Sequence, residues 1–330
     1  MNQLLIQDLL LEIGLAVNKK CTALLDAGVS ALNDEVKVSP ADIIYKIDVE
    51  AEEEIVSILE EKAEKLGGVE LIAEGIGEND ISYYPSKSAE YKWKIICDPI
   101  DGSRGLMYGK RPAFFLASAG PSSAKSLNDM TVSVMVELPI PKQFEFDVLT
   151  AVKGEGAKFY RYNKSGESRR VELSASSEKS VEGGFMTMAK YCYPGKDLIA
   201  KIEERFLDRL FAGRKENFLP VFDDQYISSG GQLYEIINGH DRFTVDFRAS
   251  MYRLFQSLGK KQGQVCHPYD LAGVLVAREA GVIVETLDGE PFDCSLTTDQ
   301  CIDWVAYANE SIKKQCRETL YELLKEEGIV

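Results

Sequence analysis

The sequence predicts a two-lobed protein, an α+β lobe over residues 1–164 followed by an α/β lobe over residues 165–330. Three observations carry this reading. A chain of 330 residues is long for one hydrophobic core, which predicts two lobes or one large layered unit. Two amphipathic helical stretches before residue 67 are followed by several adjacent apolar runs of strand length, the order of an α+β unit. Beyond residue 165, strand-like and helix-like segments alternate instead.

Taken in order, Leu4, Leu9, Ile13, Val17 and Leu24 recur at roughly helical spacing and predict a helix over residues 3–26, closed by Gly28. Ser39-Pro40-Ala41-Asp42 then breaks the chain before a short apolar run, Ile43-Ile44-Tyr45. Asp48 stands as the N-cap of a second helix striped with Ile55, Leu59, Ala63 and Leu66 and stopped by Gly67-Gly68. Val69 to Ala73 reads as a strand ended by Glu74-Gly75, and Lys94 to Cys97 as a buried strand ended by Asp98-Pro99. Ala113 to Ala119, Thr131 to Leu138 and Phe144 to Ala151 are further strands, the last two forming a hairpin around Pro139-Ile140-Pro141-Lys142.

In the second lobe, Val181 to Met188 and Phe218 to Phe222 read as strands on either side of a charged helix from Asp197 to Phe211. Ser228-Ser229-Gly230-Gly231 opens a helix closed by Asn238-Gly239, and Phe243 to Phe247 is a strand. Asp270 opens a helix over Leu271 to Ala280, and the β-rich Val282 to Leu287 and Cys301 to Ala308 follow. Ile312, Cys316, Leu320 and Leu324 stand at strict i, i+4 spacing and predict a last helix.

Composition narrows the function. The balance of 45% hydrophobic and 28% charged residues is that of an ordinary globular protein, and a net charge of −15 opposes a nucleic-acid polymer as partner. Gln7, Asp8 and Glu12 interrupt the apolar start, so the sequence reads as cytoplasmic, with neither a secretory segment nor a membrane span. Its seven cysteines are scattered without a C-x-x-C pair, which predicts reduced thiols. Only His240 and His267 are available as imidazoles, so a His-rich metal centre is excluded and catalysis falls to carboxylates and hydroxyls.

The chemistry gathers at Asp98-Pro99-Ile100-Asp101-Gly102-Ser103. Pro99 cannot donate to a sheet ladder and Gly102 lets a backbone approach a ligand, at a strand end where α/β sheets bind their ligands. Four carboxylates, Glu74, Asp98, Asp101 and Asp270, lie at expected strand ends or helix starts, the hard oxygen donors magnesium takes alongside a phosphate. Gly102-Ser103 and Gly230-Gly231 each lead into a helix, whose N–H groups favour an anion. Phosphate-ester hydrolysis is the reaction such a set supports. The common nucleotide and zinc motifs G-x-x-x-x-G-K-[ST], G-x-G-x-x-G and H-E-x-x-H are absent, and the EF-hand pattern fails because Ile100 and Gly109 occupy ligand positions.

The segment from Asp98 to Ser103 closely resembles the D-P-[IL]-D-G-T signature of the inositol monophosphatase superfamily of lithium-sensitive, magnesium-dependent phosphatases. Asp270-Leu271-Ala272-Gly273, followed by Arg278-Glu279-Ala280-Gly281, is similar to its second signature. Lys37 to Asp42, leading to Asp48, and the helix from Ser228 to Gly239 resemble two further family segments, so the similarity runs from about residue 5 to residue 325. The resemblance implies a layered αβαβα sandwich, a homodimer, and two or three Mg2+ ions held by Glu74, Asp98, Asp101, Asp270 and the carbonyl of Ile100. It further implies that Ser103 and Asp48 activate the attacking water, and that Gly102, Ser103, Gly230 and Gly231 bind the phosphate of a small phosphorylated metabolite.

Several positions depart from the family pattern. Ser103 replaces a Thr but keeps the hydroxyl, Tyr269 replaces a Trp, and Gly231 replaces a Thr or Ser. Gly75 stands where a second Glu is usual, which leaves Glu78 competing with Glu74 as ligand. The stretch from Asp246 to Cys266 is longer than in the inositol enzymes, and Asp246 is its candidate substrate-selecting acid. Arg248, Arg253, Lys260 and Lys261 make this stretch basic, either as a solvated loop or as the reader of a second anionic group. The signatures do not separate a monophosphatase from a 3′(2′),5′-bisphosphate nucleotide or sugar-bisphosphate phosphatase. A non-catalytic member that binds metal and a phosphorylated ligand is the reading from another class.

Overall fold

A computed structural model describes residues 2–27, 46–86, 90–214 and 220–330, with the backbone of Glu35–Val38 and Ile43–Tyr45. The Gly28 stop, the Ser39 to Asp42 break and the start of the Phe218 to Phe222 run lie outside the described residues.

The first half begins with helix α1 (Gln3–Asp26), the strands β1 (Glu35–Val38) and β2 (Ile43–Tyr45), and helix α2 (Lys46–Lys62). Strands β3 (Val69–Ala73), β4 (Ile81–Tyr84) and β5 (Trp93–Asp101), the short helix α3 (Ser103–Met107), and strands β6 (Ala113–Pro121), β7 (Val132–Leu138), β8 (Glu145–Val152), β9 (Ala157–Asn163) and β10 (Ser168–Val171) follow. The second half comprises β11 (Phe185–Met188), α4 (Lys196–Leu210), α5 (Ser229–Ile237), β12 (Asp241–Asp246), α6 (Arg248–Ser257), α7 (Val274–Glu279), β13 (Ile283–Glu285), β14 (Trp304–Tyr307) and α8 (Glu310–Glu326).

Eight strands pair in the order β10-β9-β8-β7-β6-β5-β3-β4, and four in the order β11-β12-β14-β13. Three apolar clusters fill the space between layers. The first seats Ile6, Leu10 and Ile13 of α1, with Ile55 and Leu59 of α2, against Phe115, Val134 and Val136 on one face of the large sheet. The second packs Phe114, Leu116 and Met135 on its other face against Leu233 and Ile236 of α5, Val276 of α7, and Trp304 of the small sheet. The third covers the far side of that sheet with Ile202 and Phe206 of α4, Met251 of α6 and Leu320 of α8. The result is a layered αβαβα sandwich. Successive side chains of a strand point to opposite faces, so a sheet apolar on both faces needs helices on each.

The apolar runs of the large sheet stand where the sequence placed them, and the differences have local causes. Helix α2 begins at Lys46, so Asp48 is not its N-cap but sits in its first turn. Asp270 does not open a helix; it lies in the 3-10 turn Tyr269–Leu271, four positions before the first residue of α7. Phe222 makes only an isolated bridge to Phe185. Strand β9 and the edge strands β4 and β10 of the large sheet went unpredicted because polar and partly exposed residues weaken their alternation. The loop expected after Asp246 contains the ten-residue helix α6, which buries Ala249, Met251 and Phe255.

Among the described residues no helix is long and apolar enough to cross a membrane, and all seven cysteines are free thiols.

Candidate active site

One cavity sits where the ends of β3 and β5 meet the starts of α2, α3 and α5 and the turn that holds Asp270. Its shape begins with β5. Asp98 pairs with Leu116 of β6 and Asp101 with Phe114, so three steps on β5 oppose two on its neighbour. In a regular strand residues three apart point to opposite faces, and the one extra residue of this bulge returns Asp101 to the side of Asp98. Pro99, which has no N–H to lose from the ladder, sits within the irregularity.

Asp98, Asp101 and Asp270 each direct a carboxylate oxygen to within 4.8 Å of the others. The Asp98 carboxylate accepts from Ile100 N at 2.9 Å. Burial, followed by the facing charges of Asp101, Asp270 and Glu74, pushes the Asp98 carboxyl well above the usual carboxylate range. Asp101 accepts from Ser228 Oγ at 3.0 Å and from Gly230 N.

Asp270 arrives from 172 residues beyond Asp98 in sequence and is fixed on both sides. Its Oδ2 accepts from His267 N at 2.7 Å. Two residues later the Ala272 carbonyl accepts from Ser118 Oγ at 2.6 Å and Ser133 Oγ at 2.8 Å, tying the turn to β6 and β7.

Glu74 follows β3, lines the cavity, and accepts from the Tyr269 hydroxyl at 2.9 Å. Glu78 is exposed and does not line it. Gly75 has a reason to replace the second acid. Its φ of +81° is one that L side chains rarely adopt, and a Cβ there would stand 2.5 Å from the Glu52 carboxylate. Tyr269, in place of the indole, stacks on His267 with ring centroids 5.4 Å apart.

Asp48 lines the cavity from the first turn of α2, with Glu52 one turn further on. Gly102, at φ +98°, turns the chain from β5 into α3, and Ser103 is the first residue of that helix. Ile100, Gly102 and Ser103 all line the cavity.

The remaining expected substrate contacts are placed differently. Gly230 and Gly231 do not line the cavity, and their N–H groups are already used, on Asp101 and on Ser228 Oγ respectively. Asp246 is fully buried behind the wall, where its carboxylate takes Arg248 Nε at 2.9 Å, Nη2 at 2.6 Å and backbone N at 3.0 Å. A carboxylate so paired has little left to offer a ligand. From this stretch Arg248, Gln264 and Val265 line the cavity, and Arg253 pairs with Asp303 outside the lining.

Sequence reasoning missed Glu52, Arg104, Tyr191, Gln264 and His267 in the lining. Glu52 carried a signal, since i and i+4 share a helix face with Asp48. Tyr191 carried none.

The model of the inositol monophosphatase family matches residues 7–325. The chain belongs to the inositol monophosphatase family. It is therefore a member of a phosphatase family that is generally metal-dependent, and the cluster of Asp98, Asp101 and Asp270 could bind a metal.

Solved structures give the same fold at low identity. A hypothetical protein from Pyrococcus horikoshii with similarities to inositol-1 monophosphatase is 19% identical, with 97% of this chain and 98% of that one covered and a TM-score of 0.62. The extragenic suppressor protein SuhB from Bartonella henselae is 17% identical over 96% of this chain and 98% of that one, with a TM-score of 0.64. Inositol monophosphatase from Anabaena is 14% identical over 99% and 97%, with a TM-score of 0.61. No curated protein sequence matches the chain.

Proposed function

We propose that this member of the family is a magnesium-dependent phosphomonoesterase acting on a small phosphorylated metabolite. The observation that carries the reading is the convergence of the Asp98, Asp101 and Asp270 carboxylates within 4.8 Å, with Glu74 facing Asp98. Carboxylates packed this closely repel one another, and a divalent cation removes that repulsion. The donors are all hard oxygens, as magnesium prefers. Glu74, Asp98, Asp101, Asp270 and the Ile100 carbonyl would hold it. When bound, it supplies positive charge that stabilises the phosphoryl oxygens and the departing alkoxide.

The protein's own groups do the rest. Gly102 and Ser103, at the start of α3, present backbone N–H groups to the phosphate. Ser103 Oγ and the Asp48 carboxylate orient the attacking water, and Asp48 accepts its proton. Ser103 retains the hydroxyl this role requires, and Asp48 lines the same cavity.

The test is phosphate release from a panel of inositol, sugar and 3′-nucleotide phosphates, with magnesium, with a chelator, and with lithium added. Release that needs magnesium and falls with lithium is the expected outcome. Magnesium binding by calorimetry alongside zero release across the panel would favour a non-catalytic phospholigand binder instead.

A further inference from the structure

Tyr191, Arg248 and Gln264 also line the cavity. Arg248 is only 2% exposed, and its charge is balanced by Asp246, the last residue of β12. Its remaining donors are also engaged. Nη1 lies 3.0 Å from the Gln264 carbonyl and 3.5 Å from Cys192 Sγ, and Nη2 donates to the Tyr191 hydroxyl oxygen at 2.6 Å. The guanidinium plane lies over the Tyr191 ring, 4.3 Å from its centroid. Such a fully committed arginine is poorly placed to bind a ligand with its own N–H groups.

Tyr191 differs in this respect. Arginine has donors and no acceptor, so the phenol oxygen is the acceptor in that bond and its single hydrogen remains to be donated. Among the described residues none accepts that hydrogen. Burial pushes the Tyr191 hydroxyl well above its ordinary titration range, so it remains a donor at neutral pH. A hydroxyl already accepting from a cation donates best to an anionic oxygen. Arg104, beside Ser103, adds positive charge to the same cavity.

We infer that Tyr191, held in place by the Asp246–Arg248 pair, is a specificity-determining donor for a second anionic group on the substrate, so that the preferred ester carries two phosphates rather than one. This rests on the phosphatase reading above. Arg248 and Asp246 are positioning residues, since they act through Tyr191.

The test compares a sugar monophosphate with the bisphosphate of the same sugar in wild type, Tyr191→Phe and Arg248→Lys, with melting temperatures measured alongside. Wild type should favour the bisphosphate. Tyr191→Phe should lower kcat/KM for the bisphosphate about tenfold more than for the monophosphate, chiefly through KM, as expected for one hydrogen bond to a charged group. Arg248→Lys keeps the charge and loses the planar fork, and should narrow the same ratio. No bisphosphate preference in wild type, or an equal loss on both esters in Tyr191→Phe, overturns the inference while leaving the phosphatase reading in place. If wild type releases phosphate from neither ester, nor from any other in the panel, the phosphatase reading itself fails and the inference with it.

Discussion

The Tyr269 hydroxyl donates to Glu74 Oε2 at 2.9 Å, so the residue immediately before Asp270 fixes the carboxylate at the end of β3. Two of the expected metal ligands, 196 positions apart in sequence, are thereby linked through Tyr269.

Removing that hydroxyl should loosen Glu74 without emptying its position. Tyr269→Phe is expected to weaken magnesium affinity by about tenfold to a hundredfold, the usual cost of losing a partner that orients a ligand. Calorimetric titration and the magnesium dependence of phosphate release read this directly; an unchanged affinity would separate the phenol from the metal site.

Asp101→Asn should cut kcat by about a hundredfold or more, because a charged ligand contributes more than its hydrogen-bonded partners do. Near-normal turnover with saturating magnesium would remove Asp101 from the site.

Asp98→Asn should separate stability from activity. Its carboxylate is buried among like charges, so the amide is expected to raise the melting temperature in chelator by a few degrees while turnover collapses. The stabilisation gained on adding magnesium should shrink at the same time. Melts with chelator and with magnesium give both values.

Stability should fall as the solution becomes less acidic, through groups outside the site as well. Burial pushes the Asp241 carboxyl up to about 7 and that of Glu137 up to about 7. A carboxyl whose folded pKa lies above its unfolded one favours the folded state below the unfolded value, and this contribution is lost as pH rises through the folded value. Asp241 should therefore destabilise the protein progressively between about pH 4 and pH 7. Asp241→Asn should flatten the decline in chemical-denaturation midpoints over that window; a slope equal to wild type would exclude Asp241 as a source.

Glu279 belongs to the second family signature, yet it lies outside the cavity lining. Its carboxylate accepts Gly154 N and Gly156 N, each at 2.8 Å, and so anchors the turn between β8 and β9. Glu279→Ala should cost about 1–3 kcal/mol of stability and leave kcat unchanged, which denaturation and steady-state kinetics check together.

What the sequence revealed depended on whether a role was local. The strand β3 and helix α1 were legible to the residue because apolar spacing alone specifies them. Asp98 and Asp101 were legible because a proline and a glycine punctuate the strand end. Helix α6 was not, since a run with four cations reads as solvated surface, and only the buried partner Asp246 explains why Arg248 is inside. The N–H groups of Gly230 and Gly231 were assigned to a ligand because sequence cannot tell which acceptor a backbone donor will meet. Tyr191 was invisible for a related reason: its place in the cavity comes from packing against a residue 57 positions away.

The bonds from Ser228 Oγ and Gly230 N to Asp101 join the end of a strand in the large sheet to the helix that packs against the small one. A descendant that had abandoned hydrolysis would still have a mechanical reason to retain an acid at this position. Persistence of Asp101 in a drifting lineage is thus weak testimony to surviving chemistry. Replacement of Asp98, whose charge burdens the metal-free protein, would be the earlier and more informative mark of an enzyme becoming a scaffold.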